Sequence, residues 1–352
     1  MASFCRPRLE QAGRTLAEGS GAQAWVPLAL LLSVLLCPWG GLSTAAADSS
    51  VASIPHPPVE DAVVIHGDGG AIAFHLFTNA APRAGHLFNS IELEAYGQIL
   101  LRSPDGASLG QWRASADRDP RIHAVLVNGS GPALDASRSM TLVERAAGAG
   151  WQYVALDGSA AYEGSLSQYR RAILWVEPDL LVIHDHLVGR KPARFEVYLH
   201  PPTSTILDPT WGDLRLELPG AGLRIDSPPP PKKVRSWSRV AADGLDLQFP
   251  GTLTVGLAPT NALADLDLLT AMVVHRPGVK RDLAFRLLLG NGAVGARIHR
   301  EGLPTLIAFR TDPTVTRPSL TGFEFTGPVG VDVFRPKGRA KPAGPRAGTN
   351  PD

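Results

Sequence analysis

The sequence predicts an all-β fold, a large antiparallel β-supersandwich, on three observations. Gly (36) and Pro (31) place turn signals about every ten residues along a chain of 352. No long stretch carries the 3.6-residue apolar period of an amphipathic helix. Short apolar runs fill the intervals between turns, most clearly on either side of Glu177-Pro178-Asp179, where residues 171–176 and 180–183 form a β-hairpin. A composition 44% hydrophobic and 19% charged suits a chain with a large core. The formal net charge of +1 creates no global field for nucleic acid, so no nucleic-acid partner is expected and a charged ligand must be met locally.

Taken in order, residues 25–39 form an apolar run behind Arg6, Arg8 and Arg14, and Ser43-Thr44-Ala45-Ala46-Ala47 follows with the small residues a signal peptidase accepts. Residues 1–47 therefore read as a signal peptide or membrane anchor, and the run is short against the roughly 20 residues that span a bilayer. The expected location is secreted or periplasmic, with anchoring through this segment as the alternative. Cys5 and Cys37 both lie within it, so the mature chain has no thiol chemistry. Residues 48–60, with Pro55, Pro57 and Pro58, read as a linker.

The β-sandwich domain is expected over residues 61–334, beginning with strands at 62–65 and 71–77 around Gly67-Asp68-Gly69-Gly70. Strands at 90–96, 99–101 and 121–129 follow, the last ending in an Asn128-Gly129 turn. After the hairpin, residues 195–200 alternate Phe195, Val197 and Leu199 against Glu196, Tyr198 and His200, which predicts a strand with one wet face. Further strands are expected at 214–218, 223–225, 245–249, 252–257, 268–275, 293–299, 306–310 and 329–334. Pro228 to Pro231 make a polyproline connector, and residues 335–352 lack apolar periodicity and read as a disordered tail. Some fifteen to twenty strands with no helical half make a large sandwich rather than a small barrel.

Residues 84–90 (A-G-H-L-F-N-S), 121–129 (R-I-H-A-V-L-V-N-G) and 169–187, in that order, resemble three segments of the heparinase II/III-like polysaccharide lyases. Residues 84–90 (A-G-H-L-F-N-S) running to Gly97 are similar to the family's H-G-H-x-D-x-x-S-F-x-L-Y-A-x-G. Residues 121–129 (R-I-H-A-V-L-V-N-G) resemble its H-N-T-V-L-V-D-G strand, and residues 169–187 its R-x-V-L-F-V-K-P-D-Y-L-V-V-V-D-R-L hairpin. Tyr198-Leu199-His200 is similar to the W-x-L-H that closes that hairpin, and residues 269–272 to a later F-L-T-V-L strand. The resemblance implies the family's C-terminal β-supersandwich without its N-terminal α/α toroid, and descent from enzymes that cleave uronic-acid polysaccharides by β-elimination. The toroid supplies a catalytic Tyr and an Asn or His, and no helical segment of that size is present here. A module of this kind is expected to bind an acidic polysaccharide with an incomplete catalytic set, or to be completed by a separate toroid-bearing lyase subunit. The alternatives are an active polysaccharide lyase and a structural cell-envelope protein.

The resemblance implies His86 and His123 as catalytic candidates, with Asn89 or Arg171 meeting a substrate carboxylate; an active lyase would depart from the family in needing Tyr96, Tyr153 or Tyr162 to substitute for the toroid Tyr. It also implies a structural zinc on His86 and His123, but the acidic ligands fall at Phe88 and Ser103, and structural zinc takes four protein ligands. No other cofactor is expected. Against these roles, each His reads as a half-buried strand residue bonded to backbone, and Arg170 and Arg171 as a solvated or ion-paired strand edge. In His184-Asp185-His186 the two histidines share one strand face and Asp185 the other, so these three cannot converge on a metal without a bulge. Trp112, Trp151, Trp175, Trp211 and Trp237 include candidates for sugar stacking, with core packing expected for most.

Overall fold

The computed structural model describes residues 62–78, 89–102, 125–133, 139–202, 206–208, 214–227, 237–242, 254–259, 261–279, 283–300 and 304–334. In chain order its strands are β1 (Ala62–Gly67), β2 (Ile72–Phe77), β3 (Ile91–Ala95), β4 (Gln98–Leu101), β5 (Val125–Val127), β6 (Thr141–Gly148), β7 (Trp151–Asp157) and β8 (Leu166–Val176). These are followed by β9 (Leu180–Ala193), β10 (Phe195–Leu199), β11 (Ile206–Asp208), β12 (Leu214–Glu217), β13 (Gly222–Asp226), β14 (Trp237–Ala242), β15 (Thr254–Pro259) and β16 (Leu263–His275). The last six are β17 (Leu283–Gly290), β18 (Ala293–Arg300), β19 (Thr305–Arg310), β20 (Ser319–Leu320), β21 (Phe323–Glu324) and β22 (Val329–Val333). Among the described residues helical structure is limited to two short 3-10 turns, and no helix is long and apolar enough to cross a membrane. The all-β expectation holds.

An eight-stranded antiparallel sheet, ordered β11-β12-β13-β16-β9-β8-β7-β6, is the centre of the molecule. Its central strands β8 and β9 bury nearly every residue from Ala172 to Val176 and from Leu180 to Asp185, so their apolar runs are continuous rather than alternating. One face packs against the sheets β1-β2-β3-β4 and β14-β15-β10-β5 around Phe74, Tyr169, Trp175, Phe195 and Met272. The opposite face packs against β17-β18-β19-β22 around Tyr153, Leu174, Val182, Ile298 and Phe309. The β20–β21 pair, with Leu320 and Phe325, covers part of the outer side of that last sheet.

The hairpin is longer than its apolar core suggests, because β9 continues through His184-Asp185-His186 to Ala193 and pairs with β16 along most of its length. Its turn contains a cis Glu177-Pro178 peptide, and Asp179 is ion-paired with Arg300 of β18. The expected wet face of β10 is a correction. Glu196, Tyr198 and His200 are as buried as their apolar neighbours, with the Tyr198 hydroxyl donating to Glu196 at 2.5 Å. Polar alternation here marks buried, hydrogen-bonded side chains, not a solvated face. The Asn128-Gly129 turn is present with positive φ at both residues (53° and 76°).

Strands β6, β7, β11, β14, β17, β20 and β21 were not among those expected. For β6 and β17 the reason is physical: they are largely exposed, and a strand with little to bury carries no apolar period. The strand expected at 245–249 lies outside the described residues, as do the signal segment, the linker, the polyproline connector and the tail.

Candidate functional site

The two faces of the β8–β9 hairpin carry two different polar groups. On the face toward β1–β4, Arg171 and Asp185 are direct cross-strand partners and form a bidentate ion pair, Nε to Oδ1 at 2.6 Å and Nη2 to Oδ2 at 2.9 Å. Arg171 also donates to the Asn89 carbonyl at 2.9 Å. Tyr169 donates to Asp185 at 3.2 Å and receives the Asn89 side-chain amide. Arg171 and Asp185 are 2% and 1% exposed, which makes the network part of the core. Burial opposes the Arg171 charge, but the Asp185 carboxylate outweighs it and holds the guanidinium above its usual range. Burial drives the Tyr169 phenol well above its ordinary range despite Arg171.

On the opposite face, an open pocket of about 220 Å³ lies between the central sheet and the rim of the β17–β22 sheet. It is lined by Glu144 of β6, Tyr153 of β7, Arg170 of β8, His184 and His186 of β9, and Arg310 at the end of β19. Register explains the convergence. His186 pairs across the sheet with Arg170 on one side and Asp267 of β16 on the other, and His184 lies two residues back on the same face.

Asp267 Oδ1 accepts from both imidazoles, from His186 Nδ1 at 2.8 Å and from His184 Nε2 at 3.0 Å. A carboxylate only accepts, so each imidazole presents an N–H to it. Burial raises the Asp267 pKa, and the two histidine bonds reverse this and hold it far below the usual carboxylate range. The His184 ring packs 5.0 Å from Phe309, fixing its plane. Beside them Arg170 bridges Glu144 at 2.5 Å and the Tyr153 hydroxyl at 3.1 Å. Burial pushes the Tyr153 phenol up to about 12, so it is protonated at neutral pH. Arg310 holds the following loop, donating to the carbonyls of Pro313 at 2.7 Å and Val315 at 2.9 Å.

The structure therefore separates the residues singled out in the sequence. His86 and His123 lie outside the described residues. Asn89 and Arg171 are together in the buried network, facing away from the pocket. Tyr162 is buried in the same core and bonds the Val125 carbonyl, Tyr96 bonds Asp68 at 3.0 Å, and only Tyr153 reaches the pocket. Trp175 is core, with its ring against Gly67, where a Cβ would come within 2.0 Å of it. Asp185 points away from its two histidine neighbours, as strand alternation requires. The carboxylate that joins them is Asp267, 81 residues beyond His186 and invisible to any local motif.

No family model and no curated protein matches the sequence. Solved structures match the fold. A mutant of the heparan sulfate lyase HepC from Pedobacter heparinus superposes with a TM-score of 0.53 at 11% identity, over 72% of this chain and 42% of that one. A heparinase III gene product gives 0.53 at 8% identity over 71% and 41%, and a further heparinase III structure 0.52 at 11% over 70% and 41%. The chain thus spans about two-fifths of the length of these structures, and the likeness is one of fold.

Proposed function

We propose that this chain is an exported acidic-polysaccharide-binding module related to polysaccharide lyases, and that the pocket between the central sheet and the β17–β22 sheet is its sugar site. The observation that carries the reading is the fold likeness to heparinase III over about 70% of the chain. Within that fold the pocket supplies the chemistry a uronate needs. Arg170 and Arg310 meet a carboxylate, and His184, His186 and the Tyr153 hydroxyl offer hydrogen bonds to sugar hydroxyls. Arg170 lines the pocket beside Glu144, whereas Arg171 is buried on the opposite face of the sheet against Asp185. A separate toroid-bearing subunit would supply the remaining catalytic groups.

The test is retention of the purified full chain on immobilised heparan sulfate, hyaluronan and alginate, with a neutral glucan as control. Ultraviolet absorbance of the unsaturated uronate product is followed in parallel. The expected result is salt-sensitive retention on an acidic polymer, weakened by Arg170→Gln, with no product. Retention on none of the acidic polymers overturns the reading. Product formation abolished by His86→Ala or His123→Ala replaces it with an active lyase.

A further inference from the structure

We infer that His184, His186 and Asp267 form a binding site for a zinc-class divalent cation. The inference stands independently of the polysaccharide reading and concerns residues other than His86 and His123. Its basis is geometric. One ligand atom from each of the three residues lies within 4.8 Å of the other two, and Asp267 Oδ1 is 2.8 and 3.0 Å from the histidine nitrogens. Donor atoms around a tetrahedral cation with bonds of about 2.0–2.1 Å are separated by little more than the two Asp267–histidine distances, so those two separations need open only slightly for a cation to enter.

The backbone makes this arrangement robust. Two histidines at i and i+2 on one strand project from one face, and a carboxylate on the adjacent antiparallel strand stands directly opposite the second. Three points on two paired strands make a triangle, and the sheet is held on both sides of it by long ladders, β8 with β9 and β9 with β16. His184 is further fixed by Phe309. The donor set is chemically selective. Two imidazoles and one carboxylate suit zinc and its first-row neighbours, while magnesium and calcium favour all-oxygen sets. Three protein donors leave a position for water or a ligand, as in zinc centres that do chemistry rather than hold a fold.

Charge is compatible as well. Asp267 contributes one negative charge, and Arg170, the cross-strand partner of His186, is ion-paired with Glu144 at 2.5 Å. When the cation replaces the hydrogen bonds to Asp267, each imidazole stays neutral by carrying its proton on its other nitrogen, Nδ1 of His184 and Nε2 of His186.

The test uses the tag-free full chain, stripped with a chelator and titrated with zinc by calorimetry. One equivalent is expected to bind. Asp267→Asn and His186→Ala each remove one of three ligands and are expected to weaken it by about a hundredfold or more, the upper end of what losing an outer-shell partner costs, and His86→Ala/His123→Ala is expected to leave it unchanged. Cobalt(II) in place of zinc should give visible d–d bands with the wild type that vanish in Asp267→Asn. Circular dichroism establishes that the variants are folded. If they are not, anomalous diffraction from zinc-soaked crystals of the unmodified protein decides, with a peak between His184, His186 and Asp267 expected. No zinc binding, wild-type affinity in Asp267→Asn and His186→Ala, or loss of binding only with His86 and His123 would each overturn the site.

Discussion

Residue identity matters most where strand alternation sends neighbouring side chains to opposite cores. Asp185 and His186 are adjacent, yet one closes a buried ion pair with Arg171 and the other lines an open pocket. The Arg171–Asp185 pair is bidentate and 2% or less exposed, so removing one partner strands a charge in the core. Asp185→Asn is expected to destabilise the protein by about 3–5 kcal/mol. The double change Arg171→Met/Asp185→Leu should recover most of that loss, because a buried ion pair replaced by apolar groups of similar volume is often neutral. Denaturant titration of the single and double variants measures both. A double variant as unstable as the single one would show that the bonds to Asn89 and Tyr169 matter more than the charge.

At the scale of elements, the β8–β9 hairpin is secured at its turn by a residue from a different sheet. Arg300, near the end of β18, pairs with Asp179 and donates to the carbonyls of Glu177 at 2.7 Å and Val176 at 3.4 Å. This tie joins the β17–β22 sheet to the central sheet at the turn. Arg300→Met is expected to speed hydrogen exchange at the amides of Glu177, Asp179 and Leu180 and to lower stability by about 3 kcal/mol, since the buried Asp179 carboxylate loses its guanidinium. Unchanged exchange at the turn would locate its rigidity in the local backbone instead. The hairpin itself was legible in the sequence because its two apolar runs flank Glu177-Pro178-Asp179. Its full length was not. Beyond Ile183 the strand reads His-Asp-His, and only pairing with β16 and β8 keeps those residues in the sheet.

Over the whole molecule, the central sheet is shared by two cores, one on each face. Neither core can be lost without exposing one side of β8, β9 and β16, so the described sandwich is expected to unfold in a single transition. Far-ultraviolet dichroism and the fluorescence of the seven tryptophans, the buried Trp175 among them, should give coincident melting curves. Two separated transitions would mean that the β17–β22 sheet melts as a unit of its own.

Composition and turn spacing by themselves determined the all-β class and most of the buried strands, since a strand that packs against a core must show its apolar residues. Exposed strands such as β6 escaped because nothing selects an apolar pattern on them. The expected wet face of β10 differs from the structure because buried, hydrogen-bonded polar side chains alternate just as solvated ones do. The sequence also determined that His184 and His186 share a face while Asp185 cannot join them. Only the tertiary structure decided that Asp267 completes the group, and that Arg170 rather than Arg171 reaches the pocket. The reason is register: which residue stands opposite another across a sheet is set by long-range strand pairing, and no local spacing encodes it.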